Sequence, residues 1–450
     1  MISLRILFIV GLSAASLFAA TRPFYMGFSP WLYDATFEAQ SWVYDTIQGN
    51  GDMVSEHLEE GVPWPECFND TAFSADFQNQ LIDRKNKLKP GMKILLQINP
   101  MNTVRNSLAP YRGDTYNMPL PAGWDNVRFN SDSVKIAFLN YAERMITLFN
   151  PDYALIGVEV NLLLRNNPSL WTDYLELLHA TYDSLKTRFP SLPVGLSVFC
   201  VPYFPEWSSP DTLSLQLAGL DSLEQYADFI AFSVHPFMSG ILCDTFPDNY
   251  LSRLFSLTSK PIAVAESSYP AQYWTVSGLS FNGTPEKQSR FLSLLAQACA
   301  DFSARFLVWY SVRDYDSLWV KVLGSSQDAL PWRDTGLYDE AGIPRMAMTT
   351  WKNWFAKDVT AVETRARNTL PKRAVQAWPS PFHNGFRLTF PESGRKTQVM
   401  IYDVKGQEML RQNLAAGRSA QVQTGSLNPG VYFIKAVSAG RTYRLKVVSY

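Results

Sequence analysis

Between residue 24 and about residue 355 the chain repeats one pattern: a short apolar run, then a longer stretch with apolar residues at helical spacing. The runs cover 24–31, 52–58, 93–99, 153–161, 193–199, 229–235, 261–267 and 305–311. The clearest helical stretches are 132–149, 170–189 and 285–302. Thr284 and Pro285 read as the N-cap and first residue of the last of these. Asp132 reads as a cap for the first. Eight strands, each followed by a crossover of helical length, predict a closed (β/α)8 barrel, or TIM barrel, over residues 21–356. An open doubly wound sheet would bring a Gly-rich phosphate turn, which this sequence lacks.

The two ends read differently. Residues 1–20 carry Arg5, an apolar run from Ile6 to Phe18, and small residues at Ala14, Ala15, Ala19 and Ala20. That is the pattern of a secretory signal peptide, too short for a comfortable membrane span. Residues 357–375 are polar and basic and read as a linker. Beyond them, residues 376–450 show short alternating runs broken by Asn-Gly, Lys-Gly, Asn-Pro-Gly and Ala-Gly, the signature of a small all-β, Ig-like sandwich.

Composition narrows the function. Lys plus Arg number 40 and Asp plus Glu 41, so no basic surplus points to nucleic acid or to an anionic membrane. With 13 Trp, 21 Tyr and 28 Phe, the chain can line a cleft that stacks on flat apolar faces such as sugar rings. No Cys or His cluster has metal-ligand spacing, so neither a metal nor a cofactor is expected. There is no G-x-S-x-G, P-loop or H-E-x-x-H. In an exported chain, Cys200 and Cys243 are the preferred disulfide pair among Cys67, Cys200, Cys243 and Cys299.

A (β/α)8 barrel carries its site at the C-terminal ends of its strands, so polar residues there matter most. In the fourth run, alternation puts Gly157, Glu159 and Asn161 on one face, toward the barrel mouth, and Ile156, Val158 and Val160 on the other. In the seventh run, Glu266 follows a fully apolar stretch. A carboxylate in such a place is costly unless it is paired or used. Two carboxyls about 5–5.5 Å apart fit the nucleophile and acid/base of a retaining glycosidase. Further cleft candidates are Tyr25, Ser29, Trp31, His57, Gln97, Asn99 and Asp314. Trp64, Trp124, Trp207, Trp274 and Trp319 are loop residues able either to build outer subsites or to pack under loops. Glu56, Glu59, Glu60 and Glu66 read as a largely solvated acidic run without a catalytic part.

These strand ends resemble the clan A glycoside hydrolases. By that resemblance Glu159 is the acid/base and Glu266 the nucleophile. The segment FSVHPF (232–237) resembles the strand-six segment with a Tyr or His beside the nucleophile, which implies that place for His235. KPIAVAESSYP (260–270) resembles the strand-seven motif, and FLVWYSVRD (306–314) the strand-eight segment whose Trp floors a sugar subsite, which implies Trp309. The expected substrate-binding set is therefore Trp31, His57, Asn99, Asn161, His235, Trp309 and Asp314. The family carries Asn before its acid/base; this chain has Val158 there, with Asn161 two residues beyond Glu159 as a candidate substitute. The resemblance implies a cofactor-free retaining hydrolase of an oligo- or polysaccharide, acting as a monomer. Its strand-end features are shared by galactanase-, mannanase- and glucanase-like barrels. The competing class is a catalytically silent surface barrel that binds glycan or is structural, which Val158 favours and a converging pair of glutamates disfavours.

In the C-terminal part, WPSPFHNGF (378–386), VMIYDVKGQEM (399–409), LNPGVYFIKA (427–436) and LKVVSY (445–450) resemble, in order, the motifs of the type A sorting domain of the type IX secretion system. The resemblance implies export from a Gram-negative bacterium, by Sec and then the type IX machinery, to the medium or the cell surface. An ordinary Ig-like accessory module remains the alternative for this segment.

Overall fold

The computed structural model describes residues 21–204, 210–239, 247–360, 376–378, 384–390, 396–403, 407–415, 419–425, 427–428, 430–438 and 441–449. The signal-peptide reading of 1–20, Trp207 and Cys243 all lie outside them. Eight parallel strands close into a barrel: β1 (Tyr25–Phe28), β2 (Met53–Leu58), β3 (Lys93–Ile98), β4 (Tyr153–Leu155), β5 (Val194–Phe199), β6 (Phe229–Val234), β7 (Ile262–Ser267) and β8 (Phe306–Trp309). Each is hydrogen-bonded to its chain neighbours, and β8 closes the ring against β1. The fold expected from the alternation is the fold observed.

The barrel holds because its strands alternate. Met53, Leu95, Tyr153, Leu155, Phe229, Ala231, Ala263, Ala265, Phe306 and Val308 fill the interior. Their neighbours in sequence, among them Ile230, Phe232, Ile262, Val264, Leu307 and Trp309, pack outward against the helices. Each fully buried large apolar side chain contributes roughly 1.5–3 kcal/mol. Among the helices, Asp132–Phe149 lies where the periodicity put it, and Pro285–Asp301 begins at a Thr284 cap whose hydroxyl accepts from Lys287 N. Asp132 is not a cap: Ser131 holds that position, without a side-chain bond. No helix among the described residues is long and apolar enough to cross a membrane. Cys67, Cys200 and Cys299 are buried thiols, and the expected Cys200–Cys243 pairing falls outside the described residues at Cys243.

A two-residue strand, Thr21–Arg22, pairs in parallel with Asp358–Val359 and clasps the two ends of the barrel together. The first residues of the expected linker thus belong to the barrel. Arg22 is buried; it donates to Asp52 at 2.7 and 3.0 Å and to Phe24 O at 2.6 Å. Asp52 also accepts from Met26 N at 2.9 Å.

The C-terminal residues form two antiparallel sheets. One has three strands (Gln376–Trp378, Gly385–Thr389, Ser419–Gln423), the other four (Thr397–Tyr402, Glu408–Leu414, Gly430–Ser438, Arg441–Ser449). They share a core that includes Phe386, Leu388, Val399, Ile401, Val422 and Ile434. Arg387, between two core residues, faces the other way and donates to Leu217 O of the barrel helix Pro210–Glu224 at 3.1 Å.

Asp52→Ala strands the Arg22 guanidinium in a buried place. The expected loss is about 3 kcal/mol of unfolding free energy, read by urea denaturation. An unchanged midpoint would show that the clasp is held by other contacts.

Candidate active site

The regular part of β4 ends at Leu155, and the backbone beyond it departs from simple alternation. On β5, Ser197 donates its N–H to Gly157 O at 3.0 Å, and its carbonyl accepts from Val160 N at 3.0 Å. In an unbroken parallel ladder that second bond comes from residue 159, so one residue is inserted: a β-bulge. Glu159 takes up the slack with φ +52°, a left-handed conformation that costs a non-glycine residue roughly 1–3 kcal/mol. Its N–H is taken by Ser197 Oγ at 2.8 Å. Gly157 leaves the room needed: a Cβ there would come within 2.6 Å of the Tyr174 hydroxyl and of Val160 Cγ1.

A second slip aims Glu266. Against β6, Phe232 pairs with Val264 but Ser233 pairs with Glu266, leaving Ala265 unmatched. Ile262 and Val264 face the helices, so strict alternation would send Glu266 outward as well. The bulge turns it into the mouth. One carboxylate oxygen of Glu159, one of Glu266 and a ring nitrogen of His235 all lie within 4.8 Å of one another.

Cations from β2 and the loop after β3 surround this pair. His57 Nδ1 stands 2.9 Å from Glu266 Oε1, and His235 Nε2 stands 3.7 Å from Oε2. Arg105, with φ +58°, is buried; its Nη2 is 3.5 Å from Glu159 Oε2 and its Nη1 pairs closely with Glu59 Oε1. Glu59 Oε2 is 3.4 Å from His57 Nε2, and Asn99 Nδ2 donates to Glu59 Oε1 at 2.9 Å.

This geometry separates the two carboxyls electrically. Burial pushes the Glu159 carboxyl up to about 7, with Glu266 and Glu59 adding to the effect and Arg105 and His57 opposing it. Burial also disfavours charge on Glu266, but the imidazoles of His235 and His57 beside it hold it well below the usual carboxylate range. Burial alone would lower His57, yet Glu59 and Glu266 raise it above an ordinary imidazole. His235 is lowered by burial and takes the neutral form, its Nδ1 2.8 Å from Ser268 Oγ. The spacing of Glu159, Glu266 and His235 would admit a cation, but Arg105 and His57 already supply positive charge there, and we assign no metal ligand.

One wall is aromatic. Trp31, half exposed at the rim, lies 5.5 Å from the Tyr310 ring; Tyr310 lies 5.5 Å from Trp332, and Trp332 meets His235 edge-on at 4.5 Å. Donors, acceptors and flat faces thus converge on two carboxyls of opposite protonation preference, an arrangement suited to general acid and nucleophilic chemistry at one bond.

Several expected site residues stand elsewhere. Asn161 is fully buried and turned from the mouth: its amide donates to Phe199 O (3.0 Å) and Gln216 Oε1 (2.9 Å), and its oxygen accepts from Phe199 N (2.7 Å). Past the bulge the chain enters the helix Leu162–Asn166, so alternation no longer applies. Trp309 packs outward, with Nε1 donating to Thr335 O at 2.9 Å; the residue facing inward is its neighbour Tyr310. Asp314 is buried against Arg345 and accepts from Gly336 N at 2.8 Å, which makes it a structural ion. Asn99 borders the site through Glu59 and through the Val158 carbonyl, to which its amide donates at 3.4 Å. Tyr25 lies at the opposite end of β1, and Gln97 bonds Ser55 at 2.7 Å inside the barrel. Trp64, Trp124 and Trp274 are buried under loops, and Trp319 bonds Ser326 O at 2.8 Å.

The acidic run is not a solvated loop. Glu56 is fully buried on Tyr44 and Arg84, and Glu59 enters the site. Sequence reading missed Glu59, Arg105, Tyr310 and Trp332. A Trp-Tyr pair at the end of β8 signalled Tyr310 once the strand's inner face was known; Arg105 sits on a loop and Trp332 in the four-residue helix Leu330–Arg333, too short for a periodic signal.

Comparison with known proteins bears on each part. Residues 376–449 match a family model described as the secretion system C-terminal sorting domain. No curated protein sequence matches the chain. Among solved structures, a GH5_18 from Bifidobacterium longum subsp. infantis is similar at a TM-score of 0.53 and 13% identity, over 74% of this chain and 79% of that one. The GH53 catalytic domain of Ignisphaera aggregans is similar at 0.44 and 16%, over 67% and 84%. A β-glucuronidase of Bacteroides uniformis is similar at 0.43 and 12%, over 94% of this chain but 46% of its own length, so the chain spans about half of it. The first of these likenesses carries the argument, and it supports the (β/α)8 fold of the barrel; the match of residues 376–449 to the sorting-domain model implies export.

Ser197→Ala leaves the Glu159 N–H without its acceptor. We expect a loss of about 1–3 kcal/mol in urea unfolding. No loss would mean that the bulge is held by other bonds.

Proposed function

We propose that the chain is an exported retaining glycoside hydrolase acting on O-glycosidic bonds of an oligo- or polysaccharide, with no cofactor. The observation that carries this reading is the pair Glu159 and Glu266, with oxygens within 4.8 Å and opposite protonation preferences. That spacing fits direct attack by one carboxylate; an inverting pair stands about 6.5–9.5 Å apart, with room for a water.

In the proposed mechanism an Oε of ionised Glu266 attacks the anomeric carbon while Glu159 gives its proton to the leaving oxygen. The C–O bond breaks and a glycosyl ester on Glu266 forms. Glu159, now a carboxylate, takes a proton from water, whose oxygen attacks the anomeric carbon and releases Glu266. His57 and His235 hold the nucleophile, and Trp31, Tyr310 and Trp332 offer faces for sugar rings. A signal peptide at 1–20 and the type IX machinery, through residues 376–450, would carry this monomer to the surface of a Gram-negative cell or beyond it.

The second reading is a silent glycan-binding or structural barrel. Val158 favours it, with Asn161 turned away, since no amide stands beside Glu159 from its own strand end. A panel of aryl glycosides and oligosaccharides separates the two. Wild type is expected to cleave at least one class with net retention, seen by NMR of the first product anomer. Glu266→Gln and Glu159→Gln should each lower kcat/KM at least about 10³-fold on unactivated substrates. Binding without cleavage by wild type would favour the silent barrel and would falsify the hydrolase.

The pH dependence takes its sign from the two carboxyls. Glu159 must carry a proton, so kcat/KM should fall as pH rises through about 7. Glu266 must be ionised and is held below the ordinary range, so no loss is expected on the acid side until below about pH 4. A profile that rises through pH 7 would reverse the assignment of Glu159.

A further inference from the structure

Resting on the hydrolase reading, we infer that Glu59 is a positioning residue for both carboxylates: it holds Arg105 off Glu159 and clamps the His57 ring onto Glu266. The geometry is a continuous chain of charges. Arg105 is closest to Glu59 and reaches Glu159 only at 3.5 Å. Its Nη1 is also tied to Asn102 O at 2.9 Å. Glu59 is itself anchored by Asn99 at 2.9 Å. On its other side it stands 3.4 Å from His57 Nε2, while His57 Nδ1 stands 2.9 Å from Glu266.

Each link has a consequence. An arginine fully engaged by Glu159 would favour its ionised form by one to three pH units and remove the acid at neutral pH. Glu59 diverts that guanidinium. A histidine between two carboxylates is favoured in its charged form: His57 Nδ1 stands against Glu266, while Nε2 makes no hydrogen bond and meets Glu59 only as a nearby charge at 3.4 Å. Glu159 faces Arg105, Glu266, Glu59 and His57; Glu266 faces His57, His235, Tyr310, Arg105 and Glu159; His57 faces Glu59, Glu266 and Arg105. Removing the charge of Glu59 therefore acts on both members of the pair at once, in opposite directions from those the reaction needs.

The test uses the full chain with Glu59→Gln and Glu59→Asp. The chain has four histidines, so ring NMR can follow His57 by itself. In Glu59→Gln the His57 titration midpoint should fall by about one pH unit or more, with His179 unmoved; Glu59→Asp should restore most of it. On a cleaved aryl glycoside, the basic limb of kcat/KM should move down by about one unit, and kcat should fall roughly 10- to 100-fold with KM within about twofold. A folded Glu59→Gln with an unmoved His57 and an unmoved basic limb overturns the inference. If wild type cleaves nothing, the hydrolase reading fails, and the His57 titration still decides the place of Glu59. Should Glu59→Gln not fold, Asn99→Ala, which loosens Glu59, is expected to shift His57 in the same direction; no shift counts against the inference.

Discussion

Three carboxylates brought close together at the largely buried mouth of a closed barrel must be matched by positive charge, and this requirement organises the site. Glu159, Glu266 and Glu59 are balanced by Arg105 and by a protonated His57. The balance is short by one charge, and a proton on Glu159 closes it. The acid form of that residue is thus a property of the whole group. Its neighbours leave no spare cation to stabilise a third anion. The aromatic wall of Trp31, Tyr310 and Trp332 occupies the side that the ions do not.

The ions meet because the sheet breaks register twice. A parallel barrel with unbroken alternation would give β7 an outward glutamate. Each bulge changes the parity of one strand at its last residues, after the core has been packed. The strain at Glu159 is confined to a single residue and held by Ser197 and by the space at Gly157. Core packing and the rim carboxyl therefore occupy different stretches of the same strand: Tyr153 and Leu155 fill the core, while Glu159 stands in the bulge beyond them.

Much of this was legible before the structure. Period-two apolar runs and amphipathic stretches specify the barrel, since burial on both faces of a strand leaves a near-continuous apolar record. Glu159 and Glu266 stood out because acidic residues rarely follow such runs. Asn161 and Asp314 stand elsewhere because alternation does not hold past the strand ends, and Trp309 because the resemblance that pointed to it does not fix which face of β8 it takes. Asn161 lies beyond a bulge, Trp309 lies on a face that only the observed register assigns, and Asp314 lies in a loop with its own ion pair. Glu59 was hidden because a run of four acids along one segment looks solvated; spacing does not show that Arg84 and Arg105 approach it from elsewhere.

The clasp between Thr21–Arg22 and Asp358–Val359 sits beside Asp52, before β2 begins, on the floor of the barrel. The polypeptide leaves the barrel there, at the pole opposite the carboxylates. Truncation after Val359 would consequently remove no residue of the rim, since His57, Glu59, Arg105, Glu159, Glu266, Tyr310 and Trp332 all precede it.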